Sequence, residues 1–322
     1  MKTIKLLFFA ALISVTAASC SKDDDDDNQP MNPVDNKMDI VETAVADEQF
    51  SSLVAALQKA GLAETLKGDG PFTVFAPTNE AFLKFLSAAG FNTLDEVPNE
   101  VLTQILLNHV VSGNYLSTDL STTYVPGLAI EETTSNNISL YIDLSDGVNI
   151  NGSAMVTKAD IEASNGVIHV VDAVIGIPTV VTHALANPDF SILVEALTRA
   201  DLTTDFVSVL SGKGPFTVFA PTNGAFAALL ENSDSWNNLE DIPVETLEAV
   251  LTYHVVNGAN VLSGSLSDGQ QVTSFNGEDF TININGGNVS ITDANERNAN
   301  VIAVDVQAGN GVIHVIDTVI LP

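Results

Sequence analysis

Ten consecutive residues, Gly70-Pro71-Phe72-Thr73-Val74-Phe75-Ala76-Pro77-Thr78-Asn79, return unchanged as Gly214 to Asn223. Ala81-Phe82 and Ala225-Phe226 extend the match past one variable position. The copies lie 144 positions apart, too far for solenoid units and the right size for a duplicated domain. The chain must therefore fold as two versions of one architecture. Each box also has a local logic. Phe72 to Phe75 alternates and favours extended backbone, and Pro77 closes the strand. Thr78 reads as the N-cap of a helix carrying Ala81, Phe82 and Phe85, and Asn79 as a side chain that pins the turn. Thr222 and Asn223 repeat these roles, so the box reads as a structural strand-to-helix corner.

The flanking segments repeat as well. Ile40, Ala44, Phe50, Leu53, Val54 and Leu57 recur at helical spacing, and so do Val180, Ala184, Phe190, Leu193, Val194 and Leu197. The offset grows by four before the box, which places an insertion in copy two near Phe206 to Ser211. Downstream, Leu102, Ile105, Leu106, His109 and Val110 form a helical stripe that Leu247, Val250, Leu251, His254 and Val255 reproduce. A histidine on the apolar face of a helix is expected in the core, hydrogen-bonded to backbone. Beyond Gly113 and Gly258, short alternating runs separated by Gly, Asn and Asp predict a meander of strands. Each half closes on Asn-Gly-Val-Ile-His-Val, containing His169 or His314, and runs on to Ile175 or Ile320. Asn-Gly predicts a tight turn, and the apolar run behind it a strand buried on both faces.

The Thr-Val-Phe-Ala-Pro-Thr-Asn box, the mid-domain His-Val and the closing Asn-Gly-Val-Ile-His-Val together resemble the fasciclin-like domain, over residues 38–322. The resemblance implies an α+β fold: two tandem fasciclin-like domains, 38–177 and 178–322, each a small wedge-shaped β-sandwich with helices packed around it. It implies adhesion or interaction outside the cell and no common catalytic centre. In animal members a Tyr-His pair flanked by aliphatic residues is linked to integrin binding. Copy two keeps that pair as Tyr253-His254, whereas copy one has Asn108-His109. Tyr253 and His254 are therefore contact candidates, together with Trp236, the lone tryptophan, in the loop 232–238. Lys67-Gly68-Asp69 looks like a short adhesion tripeptide. Ile177-Pro178 reads as a short, stiff joint between the copies.

Forty-one acidic against eleven basic residues give a formal charge of −30, a field that disfavours nucleic acid and anionic lipid. The sequence has no cysteine-based metal pattern, phosphate loop or nucleophile elbow. Four of the five histidines occupy repeat-equivalent positions, His183 being the exception, and His169 and Asp172 fall on opposite faces of one strand. No cofactor, metal or enzymatic activity is expected, and a hydrolase would need a pocket that the sequence does not display.

The N-terminus adds an address. Lys2 and Lys5 precede an apolar run, Leu6 to Ala18, too short for a stable membrane span. Small residues then lead to Cys20, the only cysteine, in a pattern that resembles a bacterial lipobox with Ala17 where leucine is usual. Residues 1–19 read as a lipoprotein signal peptide, Cys20 as the lipidated (palmitate-bearing) residue, and 20–37 as an acidic tether. The tract Asp23 to Asp27 resembles a surface-export signal. The expectation is an exported lipoprotein held in the outer membrane by its lipid and exposed at the cell surface. Its partner would be a cell-surface or extracellular protein or a glycan. The second reading is an accessory lipoprotein that captures a glycan or small molecule.

Overall fold

The computed structural model describes residues 37–322; the expected signal peptide, Cys20 and the aspartate tract lie outside the described residues. Copy one runs α1 (Ile40–Ala46), α2 (Ser51–Ala60), α3 (Ala63–Leu66), β1 (Phe72–Pro77), α4 (Asn79–Ala88), α5 (Asn99–Leu107) and β2 (Val110–Ser112). Five more strands follow: β3 (Thr123–Ile130), β4 (Asn137–Asp143), β5 (Asn149–Ile150), β6 (Ala154–Ala163) and β7 (Gly166–Val171). Copy two repeats the plan with α6 (Val180–Ala186), α7 (Ser191–Leu197), α8 (Phe206–Leu210), β8 (Phe216–Pro221), α9 (Asn223–Glu231), α10 (Val244–Tyr253) and β9 (Val255–Asn257). Its closing strands are β10 (Gln271–Thr273), β11 (Asp279–Asn285), β12 (Asn288–Thr292), β13 (Asn298–Ala308) and β14 (Gly311–Ile316).

The box strand is the centre of each copy. β1 pairs parallel with β7, from Phe72 opposite Gly166 to Pro77 opposite Val171, and antiparallel with β2 on its other edge. β8 does the same with β14 and β9. All six residues of β7 and of β14 are buried, as a strand covered on both faces requires. On one face Val74, Ala76, Ile168 and Val170 pack against Phe50, Leu53, Phe82 and Leu102 from the helices. On the other, Phe75 and Val171 meet Leu140, Ile142 and Ile150 from the remaining strands and Ile175 from the segment after β7. Each of these fully buried large side chains contributes roughly 1.5–3 kcal/mol. The result is a β-rich core with helices on one side. In copy one the seven strands close into a ring through Val111 opposite Gly127. In copy two the same seam is held by a backbone bond from the Phe275 amide to the Val255 carbonyl, 2.7 Å, and the sheet stays open.

Thr78 and Thr222 cap α4 and α9 through the amides of Ala81 and Ala225, both at 3.3 Å. Asn79 goes further than pinning its own turn. Its oxygen accepts from the Ser52 amide (2.8 Å), and its nitrogen donates to the Glu48 carbonyl (2.9 Å), tying α4 to the start of α2. Asn223 repeats this with Ile192 and Pro188, both at 2.9 Å.

The Asn-Gly turn also carries more than a hairpin. Asn165 accepts from the Ile40 amide and donates to the carbonyls of Leu66 and Gly68; Asn310 holds Val180, Leu210 and Gly212 in the same way. The following glycines, Gly166 (φ 155°) and Gly311 (φ 159°), let the strand pass so close to its neighbour that a Cβ would collide with the carbonyl oxygen of Phe72 or Phe216.

The four extra residues of copy two do not fall within Phe206–Ser211, which is mostly helix α8. They fall in the connection 198–205. The reason lies at the helix end: α2 stops on Gly61 in the left-handed conformation (φ 70°), whereas α7 has no glycine there and ends a turn earlier, at Thr198. The Glu248 carboxylate then organises the longer loop by accepting from the Thr203 amide, its hydroxyl and the Thr204 amide.

Gly166→Ala and Gly311→Ala are each expected to cost about 2–4 kcal/mol, from the left-handed backbone plus the collision. Gly90→Ala, with φ 77° and open space around it, should cost only about 1 kcal/mol. Equilibrium urea unfolding separates the two cases.

Candidate functional site

The histidines that the repeats share are interior connectors. His109 donates from Nδ1 to the Ile105 carbonyl (2.7 Å) and accepts at Nε2 from the Ile175 amide (2.8 Å). His254 does the same with Val250 (2.7 Å) and Ile320 (3.2 Å). His169 and His314 use the opposite tautomer. Nε2 donates to the carbonyls of Tyr115 and Val261, while Nδ1 accepts from the amides of Asp160 and Asp305. Each neutral ring thus satisfies one carbonyl and one amide, which a protonated ring cannot do. Burial depresses His109 and His254 to about 4, against the pull of the carbonyl each one faces.

Sequence reading missed the partners of His169 and His314. Asp160 (φ 60°) and Asp305 (φ 59°) sit in the left-handed region at register shifts of β6 and β13. Their carboxylates accept from the amide and hydroxyl of Ser117 and Ser263. Those bonds hold Asp160 below the usual carboxylate range. The only signal was an aspartate at the same offset in both copies.

Of the contact candidates, Tyr253 is wholly buried and His254 is 4% exposed. The Tyr253 hydroxyl donates to the Asp279 carbonyl (2.9 Å) and accepts from the Ala294 amide (3.2 Å), and its ring meets Phe280 edge-on at 5.7 Å. Copy one has buried Asn108 in its place, donating to the Gly176 carbonyl at 2.9 Å. The structure therefore brings Tyr253 and His254 together inside the second core, not at its surface. Trp236 is half-buried against the helical core of copy two, and its backbone amide donates to the Ser233 hydroxyl. In the tripeptide, Lys67 pairs with Glu64 and the Gly68 carbonyl is taken by Asn165.

A groove open to a ligand lies between the copies. The joint is stiff: the Gly309 amide donates to the Pro178 carbonyl (2.8 Å), and Ile177 packs so closely on Gly309 that a side chain there would collide with it. Tyr124 and Tyr141 of copy one meet at a tilt, ring centres 4.8 Å apart, and both hydroxyls meet the Asn187 amide group. Burial pushes both phenols up, Tyr141 to about 12. His183 meets Tyr124 edge-on at 5.4 Å, with no hydrogen-bond partner on either ring nitrogen. Burial depresses it to about 4, opposed by the nearby Gln307 backbone. Two further bonds cross the boundary: the Gln307 amide to the Ser139 hydroxyl, and Asn260 to Glu131. Beside this contact runs a groove of about 720 Å³, walled by Glu100, Val101, Ile130 and Glu132 of copy one and Lys213 and Pro215 of copy two. No group of three or more His, Cys, Asp or Glu among the described residues is placed to hold a metal.

The profile of the fasciclin domain matches this chain twice, at residues 48–178 and 188–322. Protein sll1483 of Synechocystis sp. is 43% identical over 142 residues, spanning 44% of this chain and 74% of that protein. Human periostin is 27% identical over 325 residues, 96% of this chain, which spans about a third (35%) of periostin's length. Among solved structures, a FAS1 domain pair from the insect cell adhesion molecule Fasciclin I superposes with a TM-score of 0.54 at 21% identity. That match covers 85% of this chain and 97% of the insect chain.

The depressed histidines fix the sign of a pH effect. The unfolded chain takes up these protons near pH 6.5 and the folded chain only near 4, so stability is complete above 6.5 and is lost as pH falls toward 4. Each ring should contribute about 2–3 kcal/mol of loss between pH 7 and 4.5. Denaturant unfolding at the two pH values measures it. His183→Phe, which removes a ring with no hydrogen bond, should leave stability at pH 7 nearly unchanged and reduce the pH slope.

Proposed function

The chain belongs to the fasciclin domain family, and we propose that this member is a non-catalytic adhesion or interaction protein displayed on a lipid anchor. The observation that carries the reading is that every shared histidine, the family's most chemically versatile side chain here, is spent on backbone cross-links inside a core. No group of three or more His, Cys, Asp or Glu among the described residues is placed to hold a metal. What such a fold offers a partner is a rigid surface, and the name of its insect structural neighbour, a cell adhesion molecule, agrees with that use. The domain boundary in this reading falls at Ile177-Pro178, giving 38–177 and 178–322.

Tyr253 and His254 take a supporting role here, holding the second core instead of meeting a partner. Cys20 carries the lipid and 20–37 forms the tether, with Asp23 to Asp27 directing the protein to the outer face. No helix among the described residues is long and apolar enough to cross a membrane, which leaves the anchoring to the lipid in this reading. Glycan capture is the weaker reading, because Trp236 is half-buried against the helical core of copy two.

Two outcomes are expected. Cys20→Ala abolishes labelling with a palmitate analogue and releases the protein from membranes; retained labelling would remove the anchor. Replacing Asp23 to Asp27 by alanine makes the protein resistant to protease added to intact cells, and unchanged accessibility would reduce the tract to a spacer. Adhesion itself is read by coating the purified protein on a surface and counting attached cells against arrays of matrix proteins and glycans. Saturable attachment or matrix binding is expected; selective binding of one glycan without attachment would favour capture.

A further inference from the structure

We infer that the groove between the copies binds an extended polypeptide segment in which basic side chains alternate with apolar ones. The inference rests on the interaction reading above and names the chemistry of the partner. Its first ground is shape. About 720 Å³ lies within the range of ligand-binding cavities, roughly 300–1,000 Å³. The walls are fixed by bonds, not by loose loops: Gln104 accepts from the Ile130 amide (3.1 Å), and Asn260 donates to Glu131 across the copies (3.1 Å).

The second ground is an apolar strip left open to solvent. Val101 is 47% exposed and Ile130 41%, and both face the groove beside Ile177 and Pro215. A small polycation would leave that strip uncovered, whereas every second side chain of an extended segment could lie on it.

The third ground is an excess of acceptors. Glu100 and Glu132 line the copy-one wall with exposed carboxylates. Between them Glu131 is buried but stays charged. Burial pushes its carboxyl up, and the amides and hydroxyls of Thr133 and Thr134 outweigh that and hold it low. Lys213 is the only base on the lining, placed on the opposite wall where it can donate to a carbonyl of the bound backbone. Such a lining attracts ammonium or guanidinium groups and repels anions, in a chain already at −30.

Because so acidic a protein attracts any polycation, the test must alter the groove without altering charge. The probe is a dye-labelled peptide alternating lysine and leucine, titrated by fluorescence anisotropy against the full chain at 0.15 M salt, with circular dichroism confirming each fold. Val101→Trp and Ile130→Trp, which fill the groove at constant charge, should each weaken binding at least about tenfold. Glu100→Gln combined with Glu132→Gln should weaken it about fivefold. Equal affinity for the filled variants overturns the inference, as does spermine displacing the peptide at matched charge. If V101W loses the peptide while cells still attach, the groove is not the adhesive surface and the adhesion reading stands alone.

Discussion

Everything in each copy depends on one parallel strand pair. The box strand and the closing strand, nearly a hundred residues apart in sequence, lie side by side from Phe72 opposite Gly166 to Pro77 opposite Val171. Parallel neighbours need a long crossover, and here the crossover is the whole domain: two helices and five strands leave the box before the chain returns. Such a closure is entropically slow to form and must be fastened once formed. The fasteners lie at both ends. At one end, the Asn165 and Asn310 side chains draw the first helix and the turn before the box onto the closing hairpin. At the other, His109 and His254 bind the residues after the closing strand to the end of α5 or α10.

A neutral imidazole suits this work because it is both donor and acceptor in a rigid ring. Lysine offers only donors and a carboxylate only acceptors, and each would bring a charge into the core. The chain accordingly keeps all five histidines buried, while the buried carboxylates among the described residues, Glu131 and Asp293, are held by hydroxyls, amides and the Arg297 guanidinium. Acid therefore destabilises this protein through its interior. His109, His183 and His254, held to about 4 by burial, resist the protons that the unfolded rings take up near 6.5, while Asp160 and Asp317 stay below the usual carboxylate range.

Much of this was legible in the sequence. The repeat, the helical stripe and the alternation placed His109 and His254 inward, capped α4 at Thr78 and buried the closing strand on both faces, because each signal is local and periodic. The pieces that escaped are long-range and chemically commonplace. Nothing in Ser117 or Asp160, 43 positions apart, announces their bond, nor in Glu248 and the Thr203 loop it organises. The Asn165 turn was visible, but the three backbone groups that it collects from the far end of the domain were not. Tyr253 shows the opposite error: a resemblance made an interior bridge look like a surface contact. Asn108, buried at the same place in copy one, marks the position as one that must satisfy backbone from within.

The two copies differ most in one hairpin. In copy one β3 runs eight residues, and the turn beyond it carries Glu131 to its bond with Asn260, while β4 sends Ser139 to Gln307. In copy two β10 has three residues and the hairpin folds back at once between Ser274 and Glu278. The first unit thus has an arm that reaches its neighbour, and the second has none. Their order is not interchangeable: swapping the units would leave the arm facing solvent and the seam without a clasp.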